Sequence, residues 1–260
     1  ILNPDTIVES NWIEELISAY NKFGEGLYQP KHLSLNEKTV YMSAGNMLNI
    51  FGFGYAREKG NKDENQFNEI EEIGYASGTC LFTSSAVLKK VGLFDPFIFL
   101  YHDDLDLGWR ASQLGIKSYY VPTSLIYHAE SYSLKWNAEK FYWLERNRKY
   151  CILTHYSKQT YSKIFPTLLA VDFFVWIFYL TKGFLGAKIR AELDIIKNRK
   201  AIKIKYEELE SKKIVSDKEL ITKFSDSLHV PSNVTGKNTN SIFNSVIQRL
   251  SKSAKKSLVN

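Results

Sequence analysis

Cysteine is scarce in this sequence of 260 residues, which contains only Cys80 and Cys151. Two cysteines this far apart exclude a disulfide framework and are too few for a cysteine-rich zinc site. We therefore expect a reducing compartment, with both side chains acting as small buried hydrophobic groups. The sequence also lacks an internal repeat, which argues against a solenoid or propeller architecture.

Neither half of the chain has equal numbers of positive and negative charges. Residues 1–130 carry 10 Lys or Arg and 17 Asp or Glu, whereas residues 131–260 carry 24 and 11. An acidic half suits catalytic carboxylates and a bound cation, and a basic half suits anionic lipid or diphosphates. Nucleic acid is the rival partner of the basic half. We rank it lower and predict no nucleic-acid partner, because the basic residues flank an apolar run.

An apolar run of full membrane-spanning length is also missing. The longest candidate, Ile164–Leu180, has 17 residues and includes Asp172, whereas a spanning helix needs about 20 apolar residues. A charge in the middle opposes burial in lipid, while Trp176 and Tyr179 suit a membrane interface. The pattern favours a helix that lies in the membrane surface, with a true span or a buried core helix as the alternatives.

Three carboxylates open a predicted helix directly after an apolar stretch. The segment is FIFLYHDDLD, residues 97–106, with Asp103, Asp104 and Asp106 at the start of a helix predicted over Asp104–Leu114. A helix N-terminus favours carboxylates, so simple capping is one interpretation. Adjacent aspartates behind a buried strand repel each other, however, and a cation or a proton-transfer role would account for them.

The stretch from Ser77 to Ser131 contains an ordered series of short motifs. They are a strand that contains Gly78, a short helix, G-x-F-D, an aromatic strand, an acidic pair, D-L-x-W-R, a glycine, a proline and a lone histidine. This series resembles the second half of family 2 inverting glycosyltransferases, in the subgroup of rhamnosyl- and galactofuranosyl-transferases. Leu2-Asn3-Pro4-Asp5 resembles the aspartate motif of that family, and Arg146-Asn147-Arg148 resembles its basic motif. The resemblance covers roughly residues 1–156.

The resemblance implies an α/β fold of the GT-A type, with a mixed sheet flanked by helices. It divides the chain into residues 1–157, the C-terminal part of the catalytic domain; residues 158–200, amphipathic membrane-associated helices; and residues 201–260, a polar basic helical tail. Because the aspartate motif follows the nucleotide-binding strands in the family, we expect those strands to lie upstream of Ile1.

The resemblance also assigns the central chemical roles. Asp104 matches the catalytic base, and Asp103 is expected to position the acceptor or the base. Asp5 matches a metal-binding aspartate, and His128, 24 residues after Asp104, takes the position of a second metal ligand. The implied cofactor is Mn²⁺ or Mg²⁺, which suits this oxygen and imidazole donor set. A lone histidine is otherwise more often a surface or packed residue.

Five further residues are expected around donor and acceptor. Asn3 has a neighbouring polar role, and Gly78 allows a ligand or the backbone to approach closely, although a plain packing glycine is an equal alternative. Arg110 is expected to bind the acidic pair and hold it in position. Arg146 and Arg148 are expected to hold a diphosphate, with a solvated helix face as the alternative.

Together these features predict an inverting, rhamnosyltransferase-like hexosyltransferase of cell-surface glycan biosynthesis. It would move a sugar from a nucleotide-diphosphate donor to a hydroxyl of a lipid-linked or polysaccharide acceptor, at the cytoplasmic face of the cell membrane. The alternative is a non-catalytic remnant or a membrane-binding module that lacks the donor-binding half.

Overall fold

The structure, a computed structural model, describes residues 1–129, 137–228 and 237–259. The chain divides into two compact units. The first contains the described residues of Ile1–Leu48, Gly54–Phe97 and Asp103–Ser133, and the second contains those of Asn49–Phe53, Ile98–His102 and Leu134–Asn260. The boundary differs from the predicted division at residue 157, because two short loops from the first half of the sequence cluster with the C-terminal helices.

The first unit is built on a five-stranded mixed sheet. Its strands are β1 (Thr6–Val8), β2 (Gly26–Ser34), β3 (Tyr41–Ser43), β6 (Glu71–Ile73) and β7 (Lys117–His128). The order is β1-β7-β2-β3, with β6 also pairing with β7. Strands β2 and β7 are parallel and the other pairs are antiparallel. Strands β4 (Asn46–Leu48) and β5 (Gly54–Ala56) form a separate antiparallel pair.

Three helices flank this sheet: α1 (Trp12–Phe23), α2 (Ser85–Val91) and α3 (Asp103–Gln113). Helix α1 turns Leu16 toward Tyr28 in one cluster, and α3 turns Leu107 toward Leu27 in another. Burial of these apolar side chains is the main force that holds helices to a sheet. The arrangement confirms the predicted mixed sheet flanked by helices.

The second unit is helical. Its helices are α4 (Ala138–His155), α5 (Lys158–Thr181), α6 (Leu185–Lys197), α7 (Arg199–Lys212), α8 (Asp217–Lys223) and α9 (Lys237–Val259). Helix α4 packs against α6 and α7, and α5 packs against α6 and α9. Within the described ranges, α5 alone is long and apolar enough to cross a membrane, with a mean hydropathy of 1.8.

A buried ion network lies inside the second unit. The ammonium of Lys188 lies 2.5 Å from Glu145 Oε1 and 2.8 Å from Asp172 Oδ1. Burial alone would raise the pKa of Glu145, but Arg148 and Lys188 outweigh it and bring that pKa down to about 2. Glu145, Asp172 and Glu192 are close enough to hold a metal ion, yet Lys188 already supplies the positive charge between them.

Candidate active site

The acidic pair lies at the first turn of α3, as the sequence predicted. One carboxylate oxygen of Asp104 accepts a hydrogen bond from the backbone N–H of Gly78 at 3.0 Å. The other accepts from the N–H of Leu105 at 2.8 Å. The carboxyl group is therefore fixed in direction by two backbone donors, which is the geometry that a positioned proton acceptor needs.

Burial and a neighbouring charge keep a proton on this pair. Burial raises the pKa of Asp104, the charge of Asp103 raises it further, and the result is about 7. Burial also raises the pKa of Asp103. The hydrogen bond from Gly78 acts in the opposite direction, because it stabilises the ionised carboxylate. A carboxyl group poised near neutral pH can both accept and release a proton.

Gly78 lies beside the acidic pair, and its position has room for a Cβ atom. A Cβ added there would lie 3.6 Å from the Asp104 Cβ and 3.9 Å from Asp103 Oδ2, which is ordinary van der Waals contact. At Gly74 and Gly108, by contrast, a Cβ would come within 2.6 Å and 2.4 Å of its neighbours. Close packing therefore explains those two glycines and not Gly78, which favours the interpretation that a ligand approaches here.

Asp5 and His128 form a second pair. His128 ends β7 opposite Thr6, and its Nε2 lies 3.3 Å from Asp5 Oδ2. Adjacent ligands of an octahedral ion at about 2.1 Å lie roughly 3 Å apart, so this spacing fits a shared divalent cation. The Asp5 side chain is 41% exposed, which leaves room for oxygen ligands from another molecule. The residues thus fit Mn²⁺ or Mg²⁺, with one imidazole and one carboxylate as donors.

Backbone pairing brings these two pairs to one part of the first unit. The N–H of Asn3 donates to the carbonyl of Thr79 at 2.9 Å, and Leu2 forms an antiparallel bridge with Cys80. The Asn3–Asp5 turn therefore lies beside the Gly78–Thr79 segment that contacts Asp104. Asn3 contributes through its backbone, since its carbonyl also accepts from the Thr6 hydroxyl at 2.7 Å.

Arg110 does not hold the acidic pair, which corrects the predicted role. Its guanidinium is buried and bonds Asp106 at 2.7 Å, and it donates to the carbonyls of Val91 and Leu93 at 2.7 and 2.9 Å. Helix periodicity places Asp106 on the same face as Arg110, one turn away. Arg110 therefore fastens α3 to the end of α2 and is a structural residue.

Arg146 and Arg148 are also buried, which excludes the alternative of a solvated helix face. Arg148 bonds both oxygens of Glu145, at 2.8 and 2.7 Å, and donates to the carbonyl of Phe51. Arg146 lies over the ring of Trp143, 4.5 Å from its centroid. These contacts lie within the second unit, so the expected diphosphate contact has no support in this arrangement.

The basic motif contributes another residue, Asn147. Tyr101 and His102, just before α3, have positive φ angles of 63° and 66°, a conformation that is strained for residues other than glycine. The side-chain amide of Asn147 donates to the carbonyls of Leu100 and Tyr101, both at 2.8 Å. These bonds hold the Leu100–His102 turn within the second unit. The sequence contains no signal for the positive φ angles or for the two bonds from Asn147.

His32 was also missed by the sequence analysis. It lies on β2, and the parallel register places Ser34 opposite His128, so His32 projects on the same sheet face as His128. Burial lowers the pKa of His32 to about 3, and His128 adds to this effect. The imidazole is therefore neutral, and its Nε2 has no hydrogen-bond partner among the described residues.

Residues 5–151 match the family described as glycosyltransferase like family 2. A 61-residue stretch is 38% identical to the N-acetylglucosaminyl-diphospho-decaprenol L-rhamnosyltransferases of two Mycobacterium tuberculosis strains, CDC 1551 / Oshkosh and ATCC 25618 / H37Rv. The match covers 24% of this chain and 20% of each relative, so the chain spans about a fifth of their length. A structure of GalNAc-T7 with UDP, GalNAc and Mn²⁺ is similar with a TM-score of 0.46 and 14% identity, over 64% of this chain and 33% of that one. Because the family match extends over more than half of the sequence, the chain belongs to the family 2-like glycosyltransferases.

Proposed function

We propose that this chain carries the acceptor side of an inverting glycosyltransferase. The observation that supports this most is the orientation of Asp104, a half-buried carboxyl group of raised pKa held by the amide of Gly78. An inverting transfer needs one base beside the acceptor hydroxyl. Asp104 meets this requirement, and because Gly78 beside it has no side chain, the acceptor hydroxyl can approach the carboxyl group there.

The proposed reaction is a single displacement. The acceptor oxygen forms a bond to the anomeric carbon while its proton passes to Asp104, and the bond from that carbon to the diphosphate oxygen breaks. Asp103 positions the hydroxyl and, through its charge, sets the proton affinity of Asp104. The bond pair of the leaving oxygen remains on the nucleoside diphosphate, and the new glycosidic bond has the opposite anomeric configuration.

Asp5 and His128 would hold the divalent cation. Such an ion, when bound, neutralises charge that develops on the leaving diphosphate. Asp5 supplies a partly exposed carboxylate and His128 a partly buried imidazole, so their contribution is to fix one side of the coordination sphere. Asn3 shapes the turn that presents Asp5.

The proposed donor is a nucleotide-diphosphate sugar, and the proposed acceptor is a hydroxyl of a lipid-linked or polysaccharide glycan. The similarity to the mycobacterial N-acetylglucosaminyl-diphospho-decaprenol L-rhamnosyltransferases supports a lipid-linked acceptor and a rhamnose-like sugar. We propose the cytoplasmic face of the cell membrane as the place of reaction and cell-surface glycan biosynthesis as its purpose.

The test is an analysis of the reaction product that the protein forms. Several nucleoside-diphosphate sugars are offered with Mn²⁺ and a polyprenyl-diphosphate-linked sugar, and the product is analysed by NMR. Transfer with inverted anomeric configuration is the expected result. Hydrolysis without transfer, or a product of retained configuration, would overturn the proposal.

A further inference from the structure

The outward surface of α5 is apolar along most of its length. Between residues 165 and 180, seven residues are exposed and all of them are apolar. We call them the α5 face: Phe165, Pro166, Leu169, Phe173, Phe174, Ile177 and Leu180. Phe173 and Leu180 are each 61% exposed. The surface helix α1, by comparison, exposes polar residues that include Glu14 and Lys22. An apolar surface of this extent marks an interaction site.

The opposite side of α5 is already covered by its own unit. Ile164, Leu168, Val171, Val175 and Tyr179 are buried, where α6 and α9 pack. Helix α6 adds a second exposed apolar stripe, since Ile189, Leu193 and Ile196 recur at helical spacing and are 43–60% exposed. The core-facing side of α5 is therefore already packed by α6 and α9, and the α5 face is a separate surface of this helix.

Charge indicates what covers this face. Residues 158–205 carry ten Lys or Arg and three Asp or Glu, a balance of +7. Lys163, Lys182, Arg190 and Lys197 are exposed on α5 and α6 or in the turn that joins them. A second copy of the chain would bring the same positive charge and be repelled. An anionic lipid surface would attract this positive charge.

We infer that the α5 face and the α6 stripe dock in the plane of an anionic bilayer. A perpendicular span is excluded by the neighbours of α5, because α9 exposes Arg249, Lys252 and Lys256 to its surroundings. Asp172 no longer opposes this arrangement, because it pairs with Lys188 on the protein side of the helix. Docking rests on the proposed function for its purpose, because it would bring the protein to a lipid-linked acceptor. The observations that support docking do not involve the catalytic residues.

The test is co-sedimentation of the full chain with vesicles of equal parts phosphatidylcholine and phosphatidylglycerol. Phe173→Ser with Ile177→Ser should weaken binding about tenfold or more, because two exposed apolar side chains leave the interface. The matched control is Leu93→Ser with Ile214→Ser, which removes side chains that are 74% and 77% exposed elsewhere. The control should bind as the parent does. High salt should release the parent only in part, since apolar burial remains.

Three results would overturn the inference. The first is equal loss of binding in both double variants, and the second is full binding to vesicles of phosphatidylcholine alone in high salt. The third is a parent protein that is oligomeric without lipid and becomes monomeric in the α5 double variant, since the face would then bind a second copy. Asp104→Asn distinguishes a failure of catalysis from a failure of docking. This variant should lose turnover and still bind vesicles as the parent does.

Discussion

The backbone N–H of Gly78 donates to Oδ2 of Asp104 over 3.0 Å, and this bond fixes the direction of the carboxyl group that we assign as the base. The bond favours the ionised carboxylate, whereas burial and the charge of Asp103 favour the protonated form. The balance places the pKa of Asp104 near the pH at which the chemistry must proceed.

The pH dependence of turnover should report the acidic pair. Because the base must be ionised, kcat/KM should rise with pH on an acidic limb set by the raised pKa of Asp104. Asp103→Asn removes a charge that raises this pKa, so the limb should move to lower pH. The measurement is kcat/KM across pH for parent and variant. An unmoved limb would show that Asp103 does not set the proton affinity of Asp104.

The same pair should make the folded state less stable as pH rises. The folded-state pKa of Asp104 lies above its unfolded value, so its contribution is fully present below the unfolded pKa and is lost as pH rises through about 7. Asp104→Asn carries no ionisable group and should flatten this dependence. Denaturant midpoints between about pH 4 and about pH 8 measure it. A parent and variant with parallel pH dependence would contradict the raised pKa.

Gly78→Ala should reduce turnover or raise the KM for acceptor by about tenfold and leave stability nearly unchanged. The added methyl group fits at ordinary contact distance but occupies the space in front of the carboxylates. Gly74→Ala is the matched control, since its Cβ would lie 2.6 Å from the backbone nitrogen of Leu48. That variant should lose stability. Normal kinetics in Gly78→Ala would show that no ligand approaches the acidic pair at Gly78.

Asp5→Asn and His128→Ala should each weaken Mn²⁺ binding, which calorimetry measures without any turnover assay. Loss of one of two protein ligands typically costs tenfold or more in metal affinity. Thr6→Ser is a suitable control, because it keeps the hydroxyl that donates to Asn3. Activity of the parent that survives EDTA would contradict the metal site. An effect of Asp5→Asn alone would make His128 a packed histidine.

Parts of the fold were predictable because local chemistry determines them. Helix α3 was predicted from carboxylates at its start and Gly115 beyond its end. In the sequence, Pro122 favours a break between a strand over Ile116–Val121 and a short extended piece over Leu125–His128. The structure instead has one strand whose register against β2 shifts where Val121 pairs with Pro30 and Leu125 with Lys31.

Other parts depend on partners far away in the sequence. Strand β2, GLYQPKHLS, has proline, lysine and histidine in place of an alternating strand pattern. Its polar side chains are buried because tertiary contacts satisfy them: Lys31 pairs with Asp63 at 2.7 Å and Gln29 donates to Ser43 at 2.9 Å.

The candidate site divides in the same way. Asp5, Asp103, Asp104 and His128 were predicted through a family resemblance, and the structure brings each pair together. The arginine roles were not predictable from sequence, because partners such as the Glu145 carboxylate of Arg148 are revealed only by packing. Spacing along a helix indicates which residues share a face, but not which buried acid neutralises each base.

The most direct test of the account compares two aspartates of α3. Asp104→Asn should lower turnover by roughly 100-fold or more, the scale of general-base catalysis, with donor affinity and stability retained. Asp106→Asn breaks the buried bond to Arg110 and should lower stability instead, with turnover of the folded fraction kept. Near-normal turnover in Asp104→Asn would contradict the assignment of Asp104 as the catalytic base.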